Sequence, residues 1–273
     1  MIYVMLSRVQ CLDQLFILES LPEEKIKAFP EALEEFARLQ SLDISKPEEF
    51  NPLHFKIVSL NTRSLNAHIE DIRKDQRLLS TDVICLQETW LKPDEKYLQL
   101  FSIKGKINQL NSKGRGKGIA TYYPSSFELQ VNITEDTYQL TSITSTDMTI
   151  INVYRSIHSM TISDNSLIES LKPLFLSEKT IVICGDLNLC QRDDNKHKVL
   201  SFFRKNNFIP SIDPPQSSHI DGRCLDQIHM RLNQNVKFNK AYLEPCYFSD
   251  HDKINIILNQ ISQKSPEPIK LSS

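Results

Sequence analysis

Asp186 and Asn188 stand two residues apart in "IVICGDLN", where a run of apolar β-formers stops and a carboxylate and an amide follow. Residues i and i+2 of an extended chain share a side, so the two polar groups face one way. The design recurs along the chain: Asn61 follows "KIVSL", Gln87 and Glu88 follow "DVICL", and Tyr154 and Arg155 follow "IINV". Asp226 lies in "CLDQIH", and Asp250 and His251 are adjacent in "FSDHD". If these strand ends are neighbours, they converge on one pocket. Glu88, Asp186 and Asp250 would then bring three carboxylates together, which is costly unless a cation neutralises them. Oxygen ligands of this kind suit Mg²⁺ or Mn²⁺, ions that bind through one or two carboxylates and keep waters for a substrate phosphate.

Taken singly, each residue has a plainer reading. An Asp or Asn at a strand end caps a turn by bonding its own backbone, and no role is assigned to His54, His68, His158 or His197. The argument for chemistry rests on the set, because independent caps do not combine "LQET", "GDLN" and "SDH" in this order across one β-rich domain.

The elements that must position these residues follow from the apolar pattern. "HFKIVSLNT" reads as a strand, "NAHIEDIRKDQRLL" as one amphipathic helix and "DVICLQETWL" as a buried strand, which together make a β-α-β unit. Short β-rich runs from Gly118 to Tyr154 predict antiparallel strands. "NSLIESLKPLFL" and "NKHKVLSFFRKNN" predict helices, and "TIVICGDLN", "CLDQIHMRL" and "KINIILNQ" predict strands. This mixture predicts an α/β fold, a four-layer α/β sandwich with two packed mixed β-sheets flanked by helices.

The 273 residues are 40% hydrophobic, enough for a substantial core, and the formal net charge of -2 gives no overall positive field to draw the chain to nucleic acid or an anionic membrane. Any affinity for phosphate must be local. Three of the six glycines fall in "SKGRGKG", a hairpin turn or a loop that touches a nucleic-acid backbone through Lys113, Arg115 and Lys117. The six cysteines form no Cys-x-x-Cys pair and read as reduced core thiols. The start lacks a signal-peptide layout, and no apolar stretch approaches the roughly 20 residues that span a bilayer. An intracellular protein with no membrane partner is expected.

"VSLNTRSL", "DVICLQETWL", "GKGIATYY", "NVYR", "IVICGDLN", "LDQIHM" and "FSDHD" together resemble, in order, the blocks of the endonuclease/exonuclease/phosphatase superfamily, which includes deoxyribonuclease I and the apurinic/apyrimidinic endonucleases. The pair "LNTRSL" and "ICLQETWL" is most similar to endonucleases carried by non-LTR retrotransposons. The resemblance covers roughly His54 to Gln260 and implies a Mg²⁺-dependent endonuclease that hydrolyses DNA phosphodiester bonds. It implies roles as well: Glu88 binds the metal with Asn61 close by and Asp250 beside it. Asp186 orients or deprotonates the attacking water and Asn188 holds the scissile phosphate. His251 contacts that phosphate with Asp226 holding its imidazole, Tyr154 hydrogen-bonds a phosphate oxygen, and Arg155 binds substrate. Repair-type members place a second acid two residues after the Asn, where this chain has Arg63, so one metal is implied rather than two.

The opening "YVMLSRVQCLDQLFIL" resembles the last motif of Helitron-type helicases, with Arg8 as its arginine. No Gly-x-x-x-x-Gly-Lys-Ser/Thr loop accompanies it. The implied organisation is a helicase remnant over 1–20, a helical segment and linker over 21–53, the endonuclease/exonuclease/phosphatase domain over 54–260 and a disordered tail over 261–273. The resemblance implies the nicking domain of a transposable element, with DNA and an upstream helicase domain as partners and a nuclear location. Two alternatives stand beside it. One is a phosphatase or phosphodiesterase of the same superfamily acting on a non-nucleic-acid ester, disfavoured because Cys184 and "CLDQIH" replace the Trp-containing stretches of inositol phosphatases. The other is a catalytically dead relic, disfavoured because every matched position holds a competent residue.

Overall fold

The computed structural model describes residues 54–92, 106–110, 116–157 and 161–260. The expected helicase remnant, the linker, the tail, Lys113 and Arg115 lie outside the described residues.

Strands β1 (His54–Asn61), β2 (Val83–Gln87), β3 (Lys106–Leu110), β4 (Ile119–Tyr123), β11 (Val236–Glu244) and β12 (Lys253–Gln260) form one sheet, in the order β11-β12-β1-β2-β4-β3. Strands β5 (Glu128–Thr134), β6 (Tyr138–Thr144), β7 (Met148–Arg155), β8 (Thr180–Asp186), β9 (Ile209–Pro210) and β10 (Asp226–Arg231) form the other, in the order β5-β6-β7-β8-β10-β9. Each sheet has one parallel pair at its centre, β1 with β2 and β7 with β8, and is otherwise antiparallel.

Alternation along the strands builds the layers. On β1, β2 and β8 the residues Ile57, Val83, Cys85, Val182 and Cys184 point between the sheets into one core. Their neighbours point outward: Val58, Leu60, Ile84 and Leu86 pack with Leu65, Ile72 and Leu78 of α1 (Leu65–Lys74) and α2 (Gln76–Leu79). On the other side Ile151, Val153, Ile181 and Ile183 pack under α3 (Thr161–Leu171) and α4 (Lys198–Lys205), through Leu167, Leu171, Val199 and Phe203. The central strands are covered on both faces, which is why they read as continuous apolar runs. The result is the expected four-layer sandwich.

The helix expected over "NAHIEDIRKDQRLL" is broken in two. Asp75 takes an extended conformation between α1 and α2, and its carboxylate accepts the Leu78 N–H at 3.0 Å as an N-cap. β3, β9 and β11 were not expected. The outer β11 is largely exposed and carries a bulge between Phe238 and Lys240, so no apolar periodicity marks it. Among the described residues no helix is long and apolar enough to cross a membrane.

Candidate active site at one edge of the sheet sandwich

Register places the polar residues before any side chain is considered. Asn61 is opposite Gln87, Tyr154 is opposite Asp186, and Asp186 is opposite Asp226. The carboxyl ends of β1, β2, β7 and β8 therefore share an edge with the first residue of β10. Asp250 and His251 precede β12, which runs antiparallel to β1, so they arrive at that edge as well.

The face that carries the inter-sheet core turns polar as it reaches this edge. Counting by twos along the strands, Ile57 leads to Asn61, Cys85 to Gln87, Cys184 to Asp186 and Ile228 back to Asp226, all on the inward side. Gln87 Nε2 donates to Asn152 Oδ1 at 2.7 Å, and Asn152 Nδ2 donates to the Leu86 and Ala120 carbonyls and to Thr121 Oγ1. This satisfied polar network ties the two sheets together just behind the site. In front of it, Asn61 Nδ2 reaches across to Asp186 Oδ2 at 2.9 Å.

Glu88 should by alternation face away. It turns in because its backbone has left the strand, with φ 49. Among the described residues, five of the six non-glycine residues with positive φ flank these strand ends: Arg63, Ser64, Glu88, Trp90 and Asn188. Such conformations cost of order 1–3 kcal/mol each and persist where surrounding bonds enforce them. Here Ser64 N–H donates to the Glu88 carbonyl at 2.9 Å, Trp90 N–H to the Lys117 carbonyl at 3.0 Å and Thr89 N–H to the Gly118 carbonyl at 3.0 Å. Gly185 meets a separate demand: a Cβ there would lie 1.8 Å from the Val153 carbonyl oxygen, so only glycine lets β8 approach β7 this closely.

Asp186 is the centre of the arrangement. It is almost fully buried and accepts from Asn61, from the Asn188 backbone N–H at 2.9 Å and from Asn188 Nδ2 at 3.3 Å. Burial pushes its carboxyl up to about 8; Asp226 and Glu88 push the same way, against His251 and the Asn188 N–H. His251 Nδ1 lies 2.7 Å from Asp226 Oδ2. Burial opposes the charged imidazole, but Asp226, with Asp186 and Asp250 behind it, lifts His251 to about 9. Tyr154 bonds Glu88 through its hydroxyl, and burial, then the charges of Glu88 and Asp186, hold the phenol well above its ordinary range.

The residues present fit a divalent cation. Four carboxylates, Glu88, Asp186, Asp226 and Asp250, stand among His219, His251 and the half-exposed Arg63, and Asp226 Oδ1 and Asp250 Oδ1 are buried without hydrogen-bond partners. Asp186, Asp226 and His251 each offer an atom within 4.8 Å of the others. An acid excess of this kind, with orphaned oxygens, is what a hard cation relieves.

The edge thus brings together Asn61, Glu88, Tyr154, Asp186, Asn188, Asp226, Asp250 and His251. Arg155 is different. It follows Tyr154 directly and points to the opposite face, where its Nε donates to Asp164 Oδ1 at 2.8 Å and its Nη1 to the Leu187 carbonyl at 3.3 Å. Its buried guanidinium braces α3 and the loop after β8 rather than reaching substrate, which corrects the expected contact. Lys117 is half-buried, with its carbonyl holding Trp90. Sequence reasoning passed over His219, whose Nε2 is 3.4 Å from Asp250 Oδ2 and whose ring meets His251 edge-on. It sits in "SSHIDG", a loop without apolar pattern, so only a tertiary contact reveals it.

A model of the Endonuclease/Exonuclease/phosphatase family matches residues 58–251. Solved structures share the fold at low identity. An AP endonuclease from Archaeoglobus fulgidus aligns with TM-score 0.58 and 16% identity, covering 74% of this chain and 98% of that one. The endonuclease domain of TRAS1, a telomere-specific non-LTR retrotransposon, aligns with TM-score 0.55 and 12% identity over 76% and 99% of the two chains. The human Nocturnin catalytic domain aligns with TM-score 0.56 and 13% identity over 77% and 95%.

Proposed function

We propose, since the chain belongs to the endonuclease/exonuclease/phosphatase family of hydrolytic phosphoesterases, that its substrate is DNA and that it acts as a Mg²⁺-dependent endonuclease, the nicking domain of a transposable element. The observation that carries the reading is Asp186, a buried carboxylate held by two amides and set beside the Asp226–His251 pair at an acid-rich edge. The motif blocks that resemble retrotransposon endonucleases, and the fold shared with the TRAS1 domain, support DNA as the substrate. An upstream helicase domain and a nuclear location belong to the same reading.

In this proposal Glu88 holds Mg²⁺ with Asn61 nearby and Asp250 beside it. The ion, when bound, supplies positive charge to a phosphate oxygen. Asp186 orients the attacking water and takes its proton at a carboxylate oxygen; a carboxyl lifted toward neutrality is well matched to that task. Asn61 and Asn188 fix its rotamer, so the oxygen that meets the water is set before substrate arrives. Asp226 anchors His251 Nδ1 and leaves Nε2–H to donate to the phosphate as negative charge develops. Tyr154, bonded to Glu88, keeps that carboxylate in place.

The test is nicking of supercoiled plasmid by the full chain. Nicks that need Mg²⁺, vanish in EDTA and are lost in Asp186→Asn and His251→Ala are expected. Cutting that survives both substitutions would refute the assignment of the site, and release of phosphate from inositol polyphosphates without any cutting of DNA would refute the substrate.

A further inference from the structure

We propose that His219, His251 and Asp250 form a site for a borderline transition cation such as Zn²⁺, separate from the Mg²⁺ position at Glu88, and that its occupation withdraws His251 from the phosphate and inhibits the enzyme. The inhibitory half rests on the proposed nuclease function; the binding half does not.

The donors are already gathered. His219, Asp250 and His251 each present a ligand atom within 4.8 Å of the other two. His219 Nε2 is 3.4 Å from Asp250 Oδ2, and His251 Nε2 is 3.7 Å from Asp250 Oδ1. Ligands at about 2.0–2.2 Å from a tetrahedral ion lie roughly 3.3–3.6 Å from one another, so only small rotations close the set. The backbone holds it there: His219 and His251 form a β-bridge, Ile220 N–H donates to the Asp250 carbonyl at 2.9 Å, and Asp252 N–H donates to the Ser218 carbonyl at 2.9 Å.

Two independent features point to a cation. Each imidazole meets a separate carboxylate at its far nitrogen: His251 Nδ1 bonds Asp226 Oδ2 at 2.7 Å, and His219 Nδ1 lies 2.6 Å from Asp221 Oδ1 and takes the Asp221 backbone N–H at 3.2 Å. Asp221 is itself held by Arg223, whose Nε donates at 2.6 Å. The carboxylate behind His251 sets the tautomer that offers Nε2 forward, the arrangement that surrounds metal-bound histidines, and the Asp221 contacts hold the His219 ring with its Nε2 toward Asp250. The second feature is Asp250 itself: Arg63 takes Oδ2 at 2.5 Å, while Oδ1, the oxygen facing His251, is buried with no hydrogen-bond partner.

Donor chemistry separates this site from the Mg²⁺ position. Two imidazole nitrogens and one carboxylate suit Zn²⁺, whereas Mg²⁺ favours oxygen alone. A fourth position stays open to water. Asp250 stands beside both positions, and His251 serves the phosphate, so an ion on its Nε2 takes the place of the proton that would otherwise be donated there.

Calorimetric titration of chelator-treated, Mg²⁺-equilibrated full chain with ZnCl₂ tests the site. One Zn²⁺ per chain is expected for the wild type and for Glu88→Gln, with affinity weakened at least about tenfold in His219→Ala and His219→Gln, each checked for fold by circular dichroism. Co²⁺ in place of Zn²⁺ should give the visible bands of a tetrahedral nitrogen and oxygen site without a thiolate charge-transfer band. Unchanged affinity in both His219 variants, loss in Glu88→Gln, a thiolate band, or no binding by the wild type would each overturn the site. Zn²⁺ should also stop Mg²⁺-dependent nicking in the wild type and do so less in His219→Gln. Binding without inhibition would overturn the regulatory half alone. Zn²⁺ binding as described in a chain that never nicks DNA would overturn the nuclease proposal and leave the cation site standing.

Discussion

Around Lys253, two carboxylates are met by cations of the protein's own. Lys253 Nζ lies 2.5 Å from Asp75 Oδ2 and 3.2 Å from Glu244 Oε1, and Arg77 Nη1 lies 3.6 Å from Glu244. Just before it in the chain, Asp250 and His251 belong to a group in which the four carboxylates Glu88, Asp186, Asp226 and Asp250 outnumber Arg63, His219 and His251, the basic side chains that pair with members of the group among the described residues. The first cluster is balanced and ties α1, α2, β11 and β12 together. In the second the fold tolerates an excess, reinforces it with burial and leaves two carboxylate oxygens without hydrogen-bond partners. A protein that pairs its buried acids at the first residue of β12 and leaves an excess of them just before that strand has charge there for a ligand to meet.

The same chemical change should therefore have opposite consequences in the two places. Asp186→Asn is expected to lower nicking by about 10²–10⁴-fold, the range lost with a positioned acid–base group. Its metal-free melting temperature should hold or rise, because a carboxylate pressed by Asp226 and Glu88 has been neutralised. Plasmid nicking and thermal melting in EDTA measure the two effects side by side. A variant that melts well below the wild type would show that Asp186 is a structural residue, and the contrast between the clusters would fail.

Lys253→Met breaks the balanced cluster instead. It leaves Asp75 and Glu244 without their buried partner, and the loss of one member of a buried ion pair costs about 3–5 kcal/mol. Urea denaturation should show that loss as a lower midpoint with the same slope. A loss under about 1 kcal/mol would mean the cluster is solvated after all.

Much of this contrast was legible in the chain itself. β1, β2, β7 and β8 announce themselves as apolar runs because both of their faces are covered, and the polar residues at their carboxyl ends mark the edge where the covering ends. Alternation also held the information that Tyr154 and Arg155 could not both face the site, since neighbours on a strand point to opposite sides; the expected substrate contact of Arg155 ignored it. Glu88 shows the reverse. Alternation turns it away, and only the positive φ that follows Gln87 brings it in, a feature created by bonds to Lys117 and Gly118 from a distant hairpin. Asp75, Lys253 and Glu244 come from three elements with no shared pattern, and His219 from a loop with none, so both of their associations were hidden until the chain was folded.

Protons provide a milder test. His251 is raised to about 9 in the fold from an ordinary value of 6.5, and Asp186 to about 8 from 3.8. Each folded group keeps a proton that the unfolded chain has released, so each contributes stability that is present at low pH and is lost as pH rises through its folded value. In EDTA the wild type should therefore lose stability between about pH 4 and 8 relative to Asp186→Asn, in which the Asp186 titration is gone. Mg²⁺ should stabilise the wild type more as the pH rises, since it binds the deprotonated carboxylates. Parallel melting curves for the two proteins across this range would contradict the sign.

The smallest effect belongs to Arg63, the guanidinium paired with Asp250. Arg63 meets Asp250 at 2.5 Å, but its side chain is 49% exposed, against 6% for Lys253. A pair that exposed is screened by water and salt and contributes about 0–1 kcal/mol. Arg63→Ala should shift the urea midpoint by no more than that, and the shift should fade in high salt, whereas the larger loss from Lys253→Met should persist. If Arg63→Ala instead destabilised the chain as strongly as Lys253→Met, the cluster around Asp186 would be compensated from within. No cation from solution would then be called for, and the distinction between the two clusters would disappear.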